Sequence, residues 1–383
     1  MAFKRDVAIY SPSSAVFFGG AGILTTDEGE LVMGSTGVSK GGGAELQMSL
    51  LARGLSAEGL RTGIILWPVA GPRTGPSEPD LVERPLYAGA GARAKVLEAR
   101  YIFRAMRDAD AGAYIFRGGG PQLMVGMAFC RLYRRKLIFS AASDLDFDFS
   151  RPDRTRAHLI AYRAALRGAD EIIVQRSQQG DLAREDGLSP IELIPSFAEP
   201  AEPSSSQPEA FLWIGRLVDY KRPMEYVRLA ESLPEARFRM VWFPTNETRP
   251  ELITELRQAG ERLPNLELTG QIPRTELLDE IGRSYGVVST SRAEGMPNTF
   301  LEAWARAVPV ISLDFDPDER IAGEGLGLVA HSSEELRAAA SRVWSDPAAR
   351  AEMGDRARRH VTEVHSPAAV SRQWATVLRA LPS

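Results

Sequence analysis

Short runs of β-branched and other apolar residues recur along the chain, separated by stretches of helical periodicity. In the first half, VAIY (7–10), TGIILWP (62–68), AYIFR (113–117), KLIFSA (136–141), EIIVQ (171–175) and IELIP (191–195) predict strands. Between them, AELQMSLLARGLSAEG (44–59) puts Leu46, Leu50 and Leu51 on one helix face, with Leu55 continuing the stripe. RPDRTRAHLIAYRAALRGA (151–169) predicts a second such helix. The pattern stops at FAEPAEPSSSQPEA (197–210), which is Pro/Ser-rich and reads as a linker. Alternation restarts with FLWIGRL (211–217), FRMVWFP (238–244), LELTG (266–270), GVVSTS (286–291), VPVISLD (308–314) and GLVA (327–330). Helices are predicted over 222–233 and 249–263, and the chain reads as helical after about residue 332. Ser366 and Pro367 start the last helix as cap and first-turn proline, and Trp374 and Leu378 share its apolar face. The fold class expected is α/β, with two Rossmann-like doubly wound domains. The first spans 1–197, the linker 198–209, the second 210–365 and the last helix 366–383. Ligands of such sheets bind beyond the carboxyl ends of the strands.

Composition narrows the function classes. The 383 residues carry a net charge of −4, which speaks against a nucleic-acid partner. Residues 1–195 hold 24 Lys/Arg against 22 Asp/Glu, and the remainder 22 against 28, so the first half suits anionic partners better. A single cysteine, Cys130, excludes an intramolecular disulfide, fits a cytoplasmic setting and reads as a buried structural thiol. No signal peptide and no membrane-spanning run is read, so any membrane contact expected is peripheral. The four histidines, at 158, 331, 360 and 365, show no metal-pair spacing.

Chemistry concentrates in SRAEGMPNTFLEAWARAVPVI (291–311). Strand-like residues lead into a turn, and Pro297 suits the first position of a helix running to about Ala307. Backbone N–H groups and the positive end of the helix dipole then favour an anion such as phosphate, with Asn298 and Thr299 in the first turn. Glu294 and Glu302 flank that point, and carboxylates accept strongly from hydroxyls. Polyols on either side of phosphates describe a nucleotide sugar. In WIGRLVDYKRP, Gly215 and Arg216 fall at a strand's carboxyl end and Lys221 follows near a helix start. Two cations there would neutralise a diphosphate leaving group, although a solvated basic turn gives the same pattern. GVSKGGGAELQ (37–47) is a weaker phosphate-loop signal that matches neither GxGxxG nor a P-loop.

Together these segments resemble the retaining GT-B glycosyltransferases of family 4. AEGMPNTFLE resembles the family's E-x7-E motif and GRLVDYK its G-R-x4-K motif. GGGAELQMSLLARGLSAEGL resembles its N-terminal G-G-A-E loop and helix, and ADEIIVQRSQQGDLAREDG the segment before the hinge. The resemblance implies a GT-B fold with two domains facing a cleft, the first binding acceptor and the second nucleotide sugar, and a last helix crossing back to the first domain. It implies metal-independent retaining transfer from a UDP- or GDP-type sugar, without a cofactor, to a glycan, lipid-linked or small-molecule acceptor. Arg216 and Lys221 would bind the diphosphate, Glu302 the ribose, and Glu294 with the backbone of Gly295 and Met296 the transferred sugar. Asn298 and Thr299 would lie near the phosphates, Gln271 and Ile272 near the base, and Gly42 and Gly43 would close over the donor. Many members carry a histidine after the fourth strand of the first domain; here Ala142, Ser143 and Asp144 occupy that neighbourhood, with Ser143 and Asp144 as substrate-side candidates.

Three other readings compete. The triplets DLD (144–146), DFD (146–148) and DFD (314–316) match a metal-binding D-x-D pattern that arises readily in acidic loops. Glu294 and Glu302 could instead serve as the carboxylate pair of a glycosidase. A catalytically silent binder of sugar nucleotides or glycans is the non-enzyme alternative. The basic run CRLYRRK (130–136) is read as a solvated helix face in preference to contact with anionic lipid or a polyprenyl-phosphate-linked acceptor.

Overall fold

The computed structural model describes residues 3–18, 22–25, 31–34, 43–67, 78–84, 91–150, 155–245 and 247–381. The chain divides into two compact units, Met1–Phe197 with Pro367–Ser383, and Ala198–Ser366.

The first unit begins with β1 (Arg5–Tyr10), the hairpin strands β2 (Gly22–Thr25) and β3 (Leu31–Gly34), α1 (Gly43–Ala57), β4 (Thr62–Leu66) and β5 (Asp80–Glu83). It continues through α2 (Gly91–Ala109), β6 (Ala111–Arg117), α3 (Pro121–Tyr133), β7 (Lys136–Ser140), α4 (Arg156–Arg167), β8 (Glu171–Val174), α5 (Ser177–Glu185) and β9 (Ile191–Leu193). Seven strands form one parallel sheet in the order β5-β4-β1-β6-β7-β8-β9. β1 is an inner strand, with Val7 opposite Thr62 on one side and Ala113 on the other. Its inner strands are apolar runs because helices cover both faces. On one face Ile102 and Met106 of α2, Leu123 and Phe129 of α3, and Tyr162 and Leu166 of α4 are buried together. On the other, Met48, Leu51 and Leu55 of α1 pack with Val370 and Trp374 of the last helix, α13 (Pro367–Ala380). Cys130 lies in the first of these cores, where burial pushes its thiol up to about 12.

The second unit holds β10 (Ala210–Arg216), α6 (Pro223–Ser232), β11 (Phe238–Phe243), α7 (Pro250–Arg262), β12 (Leu266–Thr269), α8 (Arg274–Gly282) and β13 (Ser284–Ser289). Then come α9 (Asn298–Ala305), β14 (Val310–Leu313), the short α10 (Arg320–Gly323), β15 (Gly327–Ala330), α11 (Ser333–Ser345) and α12 (Pro347–His360). The parallel sheet runs β12-β11-β10-β13-β14-β15. From β10 the chain therefore winds outward through β11 and β12, then returns to β13 on the other side of β10. The loops that leave β10 and β13 diverge at this switch point, where an open α/β sheet forms its ligand crevice.

Residues 198–209 contain no helix or strand and lie along the second unit. The Ala198 N–H donates to the His365 carbonyl at 2.8 Å, and Glu202 pairs with Arg358 at 2.7 Å.

Candidate functional site

The candidate site is built at the switch point of the second unit, from the loop after β10 and the loop after β13. A chain of hydrogen bonds joins them. Trp213 of β10, buried, donates through Nε1 to the Thr290 hydroxyl at 3.0 Å, and that hydroxyl donates to the Lys221 carbonyl at 2.6 Å. Arg222 donates from Nε to the Thr290 carbonyl at 2.6 Å, from Nη2 to the Leu313 carbonyl at 2.9 Å, and pairs with Asp314 at 2.7 Å. The Arg292 N–H donates to the Tyr220 carbonyl at 2.9 Å. Residues 220–222, 290–292 and 313–314 are thereby fixed to one another across three strand ends.

This frame places the Lys221 ammonium directly on the Glu294 carboxylate, each side chain 17% exposed. Arg216, exposed at the end of β10, donates to the Tyr220 hydroxyl, and its guanidinium carbon stands 5.8 Å from that ring's centroid. Burial, ahead of opposing charge from Arg216, raises the Tyr220 phenol above its ordinary range, so Tyr220 is a neutral donor and acceptor at physiological pH. Two cations and two carboxylates thus gather here, Glu294 on Lys221 and Glu247 4.0 Å from Arg216. Gly215 and Gly295 are buried beside them.

The helix that follows is α9. Pro297 is its N-cap residue and Asn298 its first residue, so Pro297 stands one place before the helix. Asn298 and Thr299 occupy its first turn, half-buried. Met296 and Ile272 pack against the core formed by Phe300, Leu301 and Trp304, while Gln271 is exposed. Glu302, in the second turn, is buried and receives a hydrogen bond from Arg274 at 2.6 Å. Arg274 also pairs with Glu199. Burial dominates at Glu302 and raises its carboxyl above the usual range, with Arg274 opposing.

The remaining candidates belong to the first unit. Gly43 opens α1 in the first unit, and Gly42 lies outside the described residues. Ser143 and Asp144 follow β7. Ser143 caps a short 3-10 turn whose Asp146 accepts from the N–H groups of Gly119, Ala142 and Ser143 at 2.8, 2.6 and 3.1 Å. Asp144 makes two bonds to one nitrogen of buried Arg176, at 2.6 and 2.5 Å. The D-x-D carboxylates have structural work: Asp144 on Arg176, Asp146 on backbone, Asp148 on the N–H and hydroxyl of Ser150, Asp314 on Arg222, and Asp316 on the N–H groups of Ile321 and Ala322. Among the described residues no group of three or more His, Cys, Asp or Glu side chains gathers in a metal-binding arrangement.

Trp213, Arg222, Arg274 and Thr290 are the residues that sequence reasoning missed. Only Arg222 and Arg274 carried any signal, as cations beside Lys221 and in the QIPR stretch.

Residues 197–360 match the family model described as Glycosyl transferases group 1. The match covers the second unit up to residue 360, with its switch-point loops and α9. Glycosyltransferase 1 domain-containing protein 1 from Xenopus tropicalis is 29% identical over 118 residues, 30% of this chain, and the aligned stretch spans 34% of that relative's length. Among solved structures, sucrose-phosphate synthase from Thermosynechococcus elongatus superposes with a TM-score of 0.76 at 17% identity, covering 98% of this chain and 99% of that one. Anabaena HepE, solved with UDP and glucose, superposes with a TM-score of 0.73 at 15% identity, covering 98% and 100%. The architecture is therefore that of GT-B glycosyltransferases, two Rossmann-like parallel-sheet units.

Proposed function

We propose that this protein is a glycosyltransferase that moves a sugar from a nucleoside-diphosphate sugar to an acceptor hydroxyl, with retention of anomeric configuration and without a metal. The observation that carries the reading is the Lys221–Glu294 contact at the sheet's switch point, beside Arg216 and the start of α9. A glycosidase would use its two carboxylates across a glycosidic bond. Here Glu294 sits on a lysine and Glu302 on Arg274, an arrangement suited to orienting hydroxyls and phosphates rather than to exchanging protons with a leaving alcohol. HepE was solved with UDP and glucose, which supports a UDP-type donor for this chain too.

In this mechanism Arg216 and Lys221 take up the charge that develops on the departing diphosphate, which lowers the barrier by stabilising the leaving group. The frame of Thr290 and Arg222 keeps the Lys221 backbone still, so little reorganisation accompanies the reaction. The N–H groups opening α9, with Asn298 and Thr299, add partial positive charge on the phosphates. Glu294, Gly295 and Met296 hold the sugar, Glu302 the ribose, and Gln271 and Ile272 border the base. The acceptor hydroxyl attacks from the face the diphosphate leaves, and the departing phosphate oxygen takes its proton. Glycan, lipid-linked and small-molecule acceptors all fit this step.

The test is a panel of UDP-, GDP- and ADP-sugars, read by thermal shift and then by sugar release in EDTA. One family of donors should raise Tm, as binding to the native state requires, and turnover should persist without metal. Lys221→Ala should lower turnover by about 10²–10³-fold. A panel with no binder, or near-normal turnover by Lys221→Ala, would overturn the proposal.

A further inference from the structure

The helical layer on one face of the first unit's sheet has a charge and exposure pattern that the transfer reaction does not use. α2, α3 and α4, with residues 134–136, carry twelve Lys/Arg against two Asp/Glu, in a chain whose total is −4. Arg135 and Lys136 pair with Asp110 and Asp170, and Arg163 and Arg167 with Asp186, so the layer with these three acids still carries an excess of seven cations. On α2, Arg93, Arg100, Arg104 and Arg107 recur at helical spacing on the exposed side, with Val96 in the same row. Arg131 and Arg134 are exposed at the end of α3, and Arg156 and Arg167 at the two ends of α4. The two acids of these helices are both paired, Asp108 with Arg104 at 3.7 Å and Glu98 with Arg84 at 3.3 Å.

Apolar side chains stand out among these cations. Six large hydrophobics are exposed among the described residues, and four lie on this layer: Val96 (61%), Leu132 (68%), Tyr133 (43%) and Ile160 (70%). The helices are neighbours, Phe103 of α2 meeting Phe129 and Tyr133 of α3 at 5.2 and 6.5 Å, and α3 packing on α4. At the end of α3 a hollow of about 340 Å³ is lined by Arg131, Arg134, Arg135 and Lys136, with Asp170 paired to Lys136 as its one acid, and it is large enough for a phosphate head group. A solvated face would need neither the apolar tips nor so large an excess of cations over acids. A nucleic-acid face would have use for the arginines and none for Leu132 and Ile160.

We propose that the outer face of α2, α3 and α4 docks on an anionic lipid surface. The arginines meet lipid phosphates while Val96, Leu132, Tyr133 and Ile160 insert at the level of the head groups. No described helix is long and apolar enough to cross a bilayer, so the contact is peripheral. This inference does not depend on the transfer reaction.

Co-sedimentation of the full chain with vesicles tests it. Vesicles of phosphatidylcholine with phosphatidylglycerol should retain at least about tenfold more protein than pure phosphatidylcholine, and salt should release most of it. The triple variant Arg100→Glu, Arg107→Glu, Arg131→Glu should lose the binding. The double variant Leu132→Ser, Ile160→Ser should lose it several-fold at unchanged net charge. All five positions are exposed, so both variants should keep the parent's circular dichroism and Tm; should the triple variant fail to fold, Arg107→Glu alone should still weaken retention. Equal retention on neutral vesicles, no retention on either, or full retention by either variant would overturn the proposal. So would competition by an RNA duplex that the apolar double variant binds as well as the parent does.

Discussion

Glu302 sits in the second turn of α9 with 8% of its surface exposed, and two opposing effects act on it. Burial penalises its charge, and the Arg274 guanidinium at 2.6 Å offsets part of that cost; the net direction is upward. A carboxyl raised in the folded state stabilises while protonated, fully below about pH 4.3, where unfolded glutamate titrates, and that contribution disappears as pH rises through the folded value. At pH 7–8 the ionised group is therefore a net cost to the fold. Glu302→Gln removes the charge and keeps the shape. Arg274 is left with Glu199 and partial exposure to water, so the large penalty of an orphaned buried charge does not apply. The variant should gain about 2 °C in Tm at pH 8, lose that gain near pH 4, and bind its nucleotide sugar more weakly. A Tm below the parent's at pH 8 would show that Arg274 outweighs desolvation. Lys221 and Glu294 were legible as candidates because each sits in a recognisable local motif. Their contact was not, and neither were the Thr290 and Arg222 bonds that arrange it, because these join segments about seventy residues apart and leave no periodicity behind.

α9 is positioned at both ends, and its far end explains a limit of pattern reading. Periodicity carries the helix to about Ala307, but it stops at Ala305, with Arg306 as cap and Ala307 in the left-handed region at φ 58°. Ala307 closes α9 in a Schellman arrangement, the Val308 N–H on the Ala303 carbonyl at 2.9 Å and its own N–H on the Trp304 carbonyl at 3.1 Å, in a place where glycine would have been the sequence signal; α12 packs directly on this turn. There Gly354 lies so close that a Cβ would stand 2.0 Å from the Ala307 carbonyl oxygen and 2.8 Å from its carbon. Gly354→Ala must push backbone, not a flexible side-chain end, so it should cost about 1–3 kcal/mol. It should also weaken donor binding, because displacement of the 306–308 turn is passed along α9 to Asn298. Denaturant midpoints at constant m-value measure the first effect and thermal shift with donor the second. A stability loss under about 0.5 kcal/mol, the range of an ordinary surface change, would mean that α12 yields freely and does not hold α9. The buried strands were readable because continuous apolar runs leave little choice of structure. β5 was missed for the opposite reason: it is an edge strand four residues long, Asp-Leu-Val-Glu, with one buried side chain.

The first unit is closed by residues from both ends of the chain, and that sets which half fails first when the last helix is weakened. The sequence placed Trp374 and Leu378 on one face of a helix, but periodicity alone does not say what such a face covers. Trp374, 3% exposed, lies with Val370 and Ala375 in the core that Met48, Leu51 and Leu55 of α1 share with Ile9 and Ile64 of the sheet. The helix thus completes one of the two apolar layers of the first unit and none of the second. Trp374→Ala removes a large ring from a closed site, which should cost the first unit about 3–5 kcal/mol. Two units need not unfold together, so a single midpoint is the wrong measure. Limited proteolysis of the full chain separates them: cleavage in the variant should begin within 1–197 and 367–383 while a fragment spanning 198–366 persists. If the 198–366 segment were cut first, or at the same rate, α13 would be supporting more of the molecule than the layer it covers in the first unit.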